Sequence, residues 1–254
     1  MSVAINKADG ILVIEFDRAD KKNAITAVMY QLMADAIADG ERDPEVRALL
    51  FQGKPEVFTA GNDLDDFLRT PPKGADSPVY QFMRNLSQAS KPVIAAVAGP
   101  AVGIGTTMLL HCDLVYAADN ARFSMPFTQL GLCPEFASSA LLPQMAGYHR
   151  AAEKLLLGEA FSAEEALQMG LVNKVLPVGE LASYARARAL ALAALPASSL
   201  RITKRLMKST QVQTLPAVIA EEASHFSAML TAPEAKEAFT AFFEKRKADF
   251  SKFS

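Results

Sequence analysis

Apolar and polar positions fall into recognisable periods from the start of the chain. Residues 3–6 and 11–17 are apolar-rich runs on either side of Ala8-Asp9-Gly10, and runs flanking such a turn predict a β-hairpin. Thr26 precedes Met29, Leu32, Met33, Ala36 and Ile37, which fall at the spacing of one buried helical face. A helix capped by Thr26 and ending near Gly40 is therefore predicted. Short apolar runs at 48–51, 93–97 and 114–117 read as strands, and strands alternating with helices indicate an α/β chain.

Further along, Ser162 and Glu165 have capping-box spacing ahead of Ala166, Leu167 and Met169, with Gly170 placed to stop the helix. Beyond Pro177 the strand signals cease. Residues 181–247 read as helices interrupted at Pro196, Pro216 and Pro233. The expected organisation is a core over 1–195 and a helical region over 196–254. Between Thr70 and Pro78 the chain is rich in Pro, Gly and polar residues, which predicts a mobile loop bordering a binding site. Residues 92–110 carry no charge for about the length of a membrane span. Gly99, Pro100, Gly103 and Gly105 divide that stretch into strand, turn and helix start, so it reads as buried core.

Composition narrows the class without changing this picture. The 254 residues are 50% hydrophobic and 21% charged with a net charge of −2, as expected of a soluble globular protein with a large core. That balance, with a pI near 6.0, speaks against a nucleic-acid partner. Cys112 and Cys133 have no Cys-x-x-Cys spacing and the chain has three histidines, so no metal site and a reducing compartment are expected. The first residues lack a basic and apolar leader, and Lys252-Phe253-Ser254 is not a peroxisomal signal, so the expected location is the cytoplasm, with no membrane partner.

Three segments carry candidate chemistry: Phe58-Thr59-Ala60-Gly61-Asn62-Asp63-Leu64, Ala98-Gly99-Pro100-Ala101-Val102-Gly103-Ile104-Gly105 and Leu130-Gly131-Leu132-Cys133-Pro134-Glu135. Each joins an apolar run to a helix-like stretch through small residues. Such junctions either pack as tight turns or present unpaired N–H groups to negative charge. Glu135 alone reads as a helix-start residue suited to the helix dipole. Gly103-Ile104-Gly105 lacks the third glycine of a dinucleotide site, no Gly-Lys-Ser/Thr supports a P-loop, and Gly-x-Ser-x-Gly is absent. His111 and Cys112 read as core, and Cys133 as pocket wall.

Together the three segments resemble the crotonase (enoyl-CoA hydratase/isomerase) superfamily, over nearly the whole chain from Lys21-Lys22-Asn23-Ala24 to Glu244-Lys245-Arg246-Lys247. The resemblance implies an α/β fold with a ββα spiral core, and a helical C-terminal region that packs homotrimers or dimers of trimers. It implies an acyl-CoA thioester substrate and no separate cofactor. By resemblance, Asn62 and Ile104 donate main-chain N–H groups to an oxyanion hole. Lys22, Ala24, Ala60, Gly61, Asp63 and Leu64 then line the CoA arm, and Phe242 and Lys245 reach it from a neighbouring subunit.

Similar hydratases use two glutamates, and the matching positions here are Thr107 and Phe127, which cannot do that work. Leu132-Cys133-Pro134-Glu135-Phe136-Ala137-Ser138-Ser139 instead resembles the Pro-Glu-x-x-Ser-Ser segment of peroxisomal-type Δ3,Δ2-enoyl-CoA isomerases. That resemblance implies Glu135 as the single acid/base, with Phe127, Leu132 and Phe136 as an apolar wall that raises its pKa. Two readings stand beside it. One is a hydratase or hydrolase of the same superfamily using Asp63 or Asp66; the other is a non-catalytic acyl-CoA-binding or RNA-binding protein on this scaffold.

Overall fold

The computed structural model describes residues 2–69, 71, 72, 74 and 76–253. Among them the strands are β1 (Val3–Ala8), β2 (Ile11–Phe16), β3 (Ala48–Gln52), β4 (Val93–Val97), β5 (Pro100–Val102), β6 (Leu114–Ala118), β7 (Arg122–Ser124), β8 (Phe161–Ser162) and β9 (Lys174–Leu176). The hairpin closes at Asp9-Gly10 with Ala8 opposite Ile11. From β2 onward the main sheet is parallel, in the order β1-β2-β3-β4-β6-β9, and β5-β7-β8 form a second, smaller sheet.

The helices are α1 (Ala27–Arg42), α2 (Leu64–Arg69), α3 (Pro78–Ser87), α4 (Ile104–Thr107), α5 (Ser138–Ala146), α6 (Tyr148–Leu157), α7 (Ala163–Gln168), α8 (Val178–Ala193), α9 (Ala197–Met207), α10 (Ser209–Met229) and α11 (Pro233–Phe243). Because side chains alternate along a strand, the central strands bury both faces, which is why they read as continuous apolar runs. Leu49, Phe51, Val93 and Ala95 join the cluster formed with α1 and α3. Ala48, Leu50, Ile94 and Ala96 join the opposite cluster, closed by Leu181, Ala185 and Ala189 of α8.

Local signals are realised in detail. The Thr26 side chain accepts from Met29 N, and Ser162 and Glu165 form the reciprocal capping box at the start of α7. The uncharged stretch 92–110 becomes β4, a turn, β5, α4 and a 3-10 turn, and no helix among the described residues is long and apolar enough to cross a membrane.

Two expectations are corrected. Leu32 is 38% exposed rather than part of the buried face of α1, while the helix ends at Arg42, near the expected stop at Gly40. The buried stripe is turned toward Tyr30 and Ala34 because α3 packs beside α1, with Tyr30 against Phe82 at 5.5 Å between ring centroids. Pro216 does not separate two helices; it lies inside α10. A proline removes one main-chain bond and strains the turn before it, and packing of the long flanking segments outweighs that local cost. Of the predicted loop at 70–78, Thr70, Lys73 and Ala75 lie outside the described residues, and the end of the stretch is ordered as the start of α3.

Candidate active site

The first two motif segments are brought together by buried polar bonds and by missing side chains. Asn23 is fully buried; its amide donates to Val57 O and Phe58 O, and its Oδ1 accepts from Arg18 N. Thr59 Oγ1 donates to Asn23 O, and Ala60 N donates to Lys22 O at 2.9 Å. Lys22, Ala24 and Ala60 are therefore neighbours. Beside them, Val102 N donates to Thr59 O at 3.0 Å, so β5 runs alongside residues 59–61. A Cβ on Gly61 would meet Val102 O at 2.7 Å, and one on Gly105 would meet Thr59 Cγ2 at 2.4 Å. Only glycine at these two positions allows the approach.

That approach sets Asn62 beside the turn leading to Ile104. Ile104 is the first residue of α4 and completely buried. Its N–H has no helical acceptor. Among the described residues neither Asn62 N nor Ile104 N donates to another main-chain group. The Asn62 side chain is held separately, with Oδ1 accepting from the Tyr30 hydroxyl.

Glu135 does not belong to the first turn of a helix. Phe136 and Ala137 follow it with φ of 56° and 58°, and α5 begins only at Ser138. Glu135 is 7% exposed, and its Oε1 has no hydrogen-bond partner among the described residues. Burial, reinforced by the nearby Glu222 carboxylate, pushes its pKa up to about 8. A carboxyl so placed can exchange a proton near neutral pH. It opens on a narrow cavity lined by Phe67, Val79, Met83, Phe136, Ile219 and Phe226 among others. Through Pro72, Tyr80, Met83, Ile219 and Ala223 this cavity adjoins a cleft of about 930 Å³ between α3 and helices α9 and α10.

The other sequence candidates fall in different places. Phe136 lines the cavity, Phe127 packs edge-on against the lining residue Phe226, and Leu132 is buried in the core. Asp63 is engaged structurally: it pairs with Arg18 at 2.6 Å, its Oδ1 accepts from Asp66 N at the start of α2, and these bonds hold its pKa below the usual carboxylate range against burial. Asp66 accepts from Ala27 N at the start of α1. Leu64 is partly buried against the main core. Phe242 and Lys245 are exposed at the end of α11 and do not line the Glu135 cavity. Cys133 is half-buried near Glu222. Thr107 is buried, and its hydroxyl has no partner among the described residues.

Sequence reading missed Tyr30, the α10 wall and Glu222, and took His111 for plain core. His111 is buried, stacks on Phe136 at 3.7 Å, and donates from Nε2 to Phe136 O at 2.8 Å. Burial pushes its pKa down to about 3, so it remains a neutral strut. Polar residues in apolar helical stretches were the available signal, but no local pattern connects them with Glu135.

Residues 6–252 match the family model described as Enoyl-CoA hydratase/isomerase. The chain belongs to that family. Relatives of this enoyl-CoA hydratase/isomerase family member include enoyl-CoA delta isomerase 2 of Rattus norvegicus, 36% identical over 251 residues. The match covers 96% of the chain and 64% of that relative, so the chain spans a little under two thirds of it. The 1,2-epoxyphenylacetyl-CoA isomerase of Escherichia coli is 33% identical, with 95% of each covered. A solved structure of Pseudomonas aeruginosa OdaA has a TM-score of 0.93 at 49% identity, covering 95% of the chain and 98% of that structure. The crotonase-like α/β architecture expected from the motifs is thus the fold of this chain.

Proposed function

We propose that this protein moves the double bond of a 3-enoyl-CoA to the 2-position, with Glu135 as base and acid and the main-chain N–H groups of Asn62 and Ile104 as the oxyanion hole. The observation that carries this reading is that the Glu135 carboxyl is buried, has an elevated pKa, leaves Oε1 without a hydrogen-bond partner among the described residues, and lines an apolar cavity. The two other carboxylates considered, Asp63 and Asp66, are consumed by helix starts and an ion pair. The name enoyl-CoA delta isomerase carried by the rat relative supports the same reaction, and the name of the Escherichia coli relative supports an acyl-CoA substrate.

One carboxyl is sufficient for the chemistry. The carboxylate takes a proton from C2, and the electron pair of that C–H bond spreads into the thioester carbonyl and the C3–C4 double bond. The oxyanion carries the resulting charge, and each N–H aimed at it is worth about 2.7–4 kcal/mol in comparable sites. The carboxylic acid then returns the proton to C4, which leaves the double bond between C2 and C3 without consuming water. The cavity and adjoining cleft take the acyl tail, while Lys22, Ala24, Ala60, Gly61, Asp63 and Leu64 form the CoA side. Phe242 and Lys245 complete that side from a neighbouring copy in a trimer.

Glu135→Gln on 3-enoyl-CoA tests the reading. Loss of isomerisation by at least about a hundredfold is expected, the low end for removing an acid/base group; full retained activity sinks it. Incorporation of labelled solvent oxygen into the product would favour hydration instead.

A further inference from the structure

The segment that carries Glu135 is bent against the preference of its own residues. Phe136 and Ala137 both have left-handed backbone, which side chains other than glycine disfavour. Two buried groups from distant parts of the chain hold the bend. His111 secures Phe136 O. Glu222, 85 residues away on α10, accepts from Ala137 N at 2.5 Å, and two residues further along from Ser139 N at 3.0 Å and Ser139 Oγ at 2.5 Å. Glu222 is 7% exposed, and among the described residues its side-chain bonds all go to this one segment.

We propose that Glu222 is a positioning residue for the catalytic carboxyl: by accepting three hydrogen bonds from residues 137–139 it fixes the turn that aims Glu135 into the acyl cavity, so that a helix of the C-terminal region sets the geometry of the site. This rests on the reading of Glu135 as acid and base. The two buried carboxyls divide their roles by hydrogen bonding. Burial raises the pKa of both carboxyls; at Glu222 the three donors oppose that rise and favour the charged form, whereas Glu135 has no donor on Oε1. Among the described residues, the ionisable groups near the pair include Tyr30 on α1, Tyr80 on α3, Cys133 on the same loop and neutral His111, none of them a cation, while Glu221 on α10 is exposed beside Glu222. Glu222 is thus the charge that Glu135 must ionise against.

The test is a titration of Glu135 in the full chain labelled with carboxyl-13C glutamate, its signal assigned by its disappearance in Glu135→Gln, together with isomerase kinetics. Glu222→Gln is expected to move the Glu135 midpoint down by about one pH unit and to cut kcat about tenfold or more, with KM changed less. Glu222→Asp keeps the charge and is expected to restore the midpoint but only part of kcat. Glu221→Gln, an equal charge change on an exposed neighbour, leaves both unchanged. A lower Tm in Glu222→Gln with an unmoved midpoint and full kcat per folded molecule would mean a purely structural residue, and overturns the proposal. Should that variant not fold, Glu222→Asp decides alone, because full kcat there also overturns it. The titration needs no turnover. Absence of isomerase activity in the unaltered protein therefore refutes the proposed reaction, while the midpoint comparison still judges Glu222.

Discussion

The Tyr30 hydroxyl donates to Asn62 Oδ1 at 2.5 Å, tying the residue proposed as an oxyanion donor to the buried face of α1. Burial raises the Tyr30 pKa well above its ordinary value, and the nearby Glu135 adds to this, so the hydroxyl stays a donor across the working pH range. Tyr30→Phe is expected to cost about 1 kcal/mol of stability for the lost bond. Turnover should fall less than in Glu135→Gln, because the proposed donor is the main-chain N–H of Asn62. Chemical denaturation and steady-state kinetics on the same preparation check both expectations.

Activity and stability should respond to pH in opposite senses through Glu135. The base form appears as pH rises through about 8, so kcat/KM is expected to climb to a plateau above that value. The folded chain holds the Glu135 proton more tightly than the unfolded chain, whose carboxyl keeps the ordinary value of 4.5. This group's contribution to stability is therefore fully present below about pH 4.5 and is lost as pH rises to about 8. Glu135→Gln should accordingly show a higher Tm than the unaltered protein at pH 9, with the difference shrinking toward pH 5. A Tm difference independent of pH would contradict the burial of an unpaired carboxyl.

Asp66 distinguishes a structural carboxylate from a catalytic one. It caps α1 through Ala27 N at 2.7 Å. Asp66→Ala is expected to cost about 1 kcal/mol, the usual effect of losing a cap, while kcat per folded molecule changes less than threefold, far short of the roughly hundredfold loss that marks an acid/base group. A hundredfold loss of kcat without loss of stability would return Asp66 to the list of acid/base groups.

Gly61 tests the approach of the two segments proposed to form the oxyanion hole. Its φ is +84°, and an added Cβ would meet Val102 O at 2.7 Å. Gly61→Ala is expected to destabilise the chain by about 1–3 kcal/mol and to lower kcat, because β5 must move away from residues 59–61 and carry Ile104 N with it. A crystal structure of the variant with both segments unmoved would remove Gly61 from the argument.

What could be read from the chain alone was local. Asp9-Gly10 closes a hairpin, Thr26 caps α1, and Ser162 with Glu165 caps α7, because each signal acts within a few residues and needs no partner elsewhere. The motif order that marked Glu135, Asn62 and Ile104 was legible for the same reason, since each motif is a short run. Leu32 and Pro216 were misread because packing against other elements decided their surroundings, and packing outweighs local preference. The clamp of Glu222 on residues 137–139, the Tyr30 bond to Asn62 and the apolar wall from α10 join positions tens of residues apart. Only folding brings such positions within the few ångströms over which a hydrogen bond or a buried charge acts.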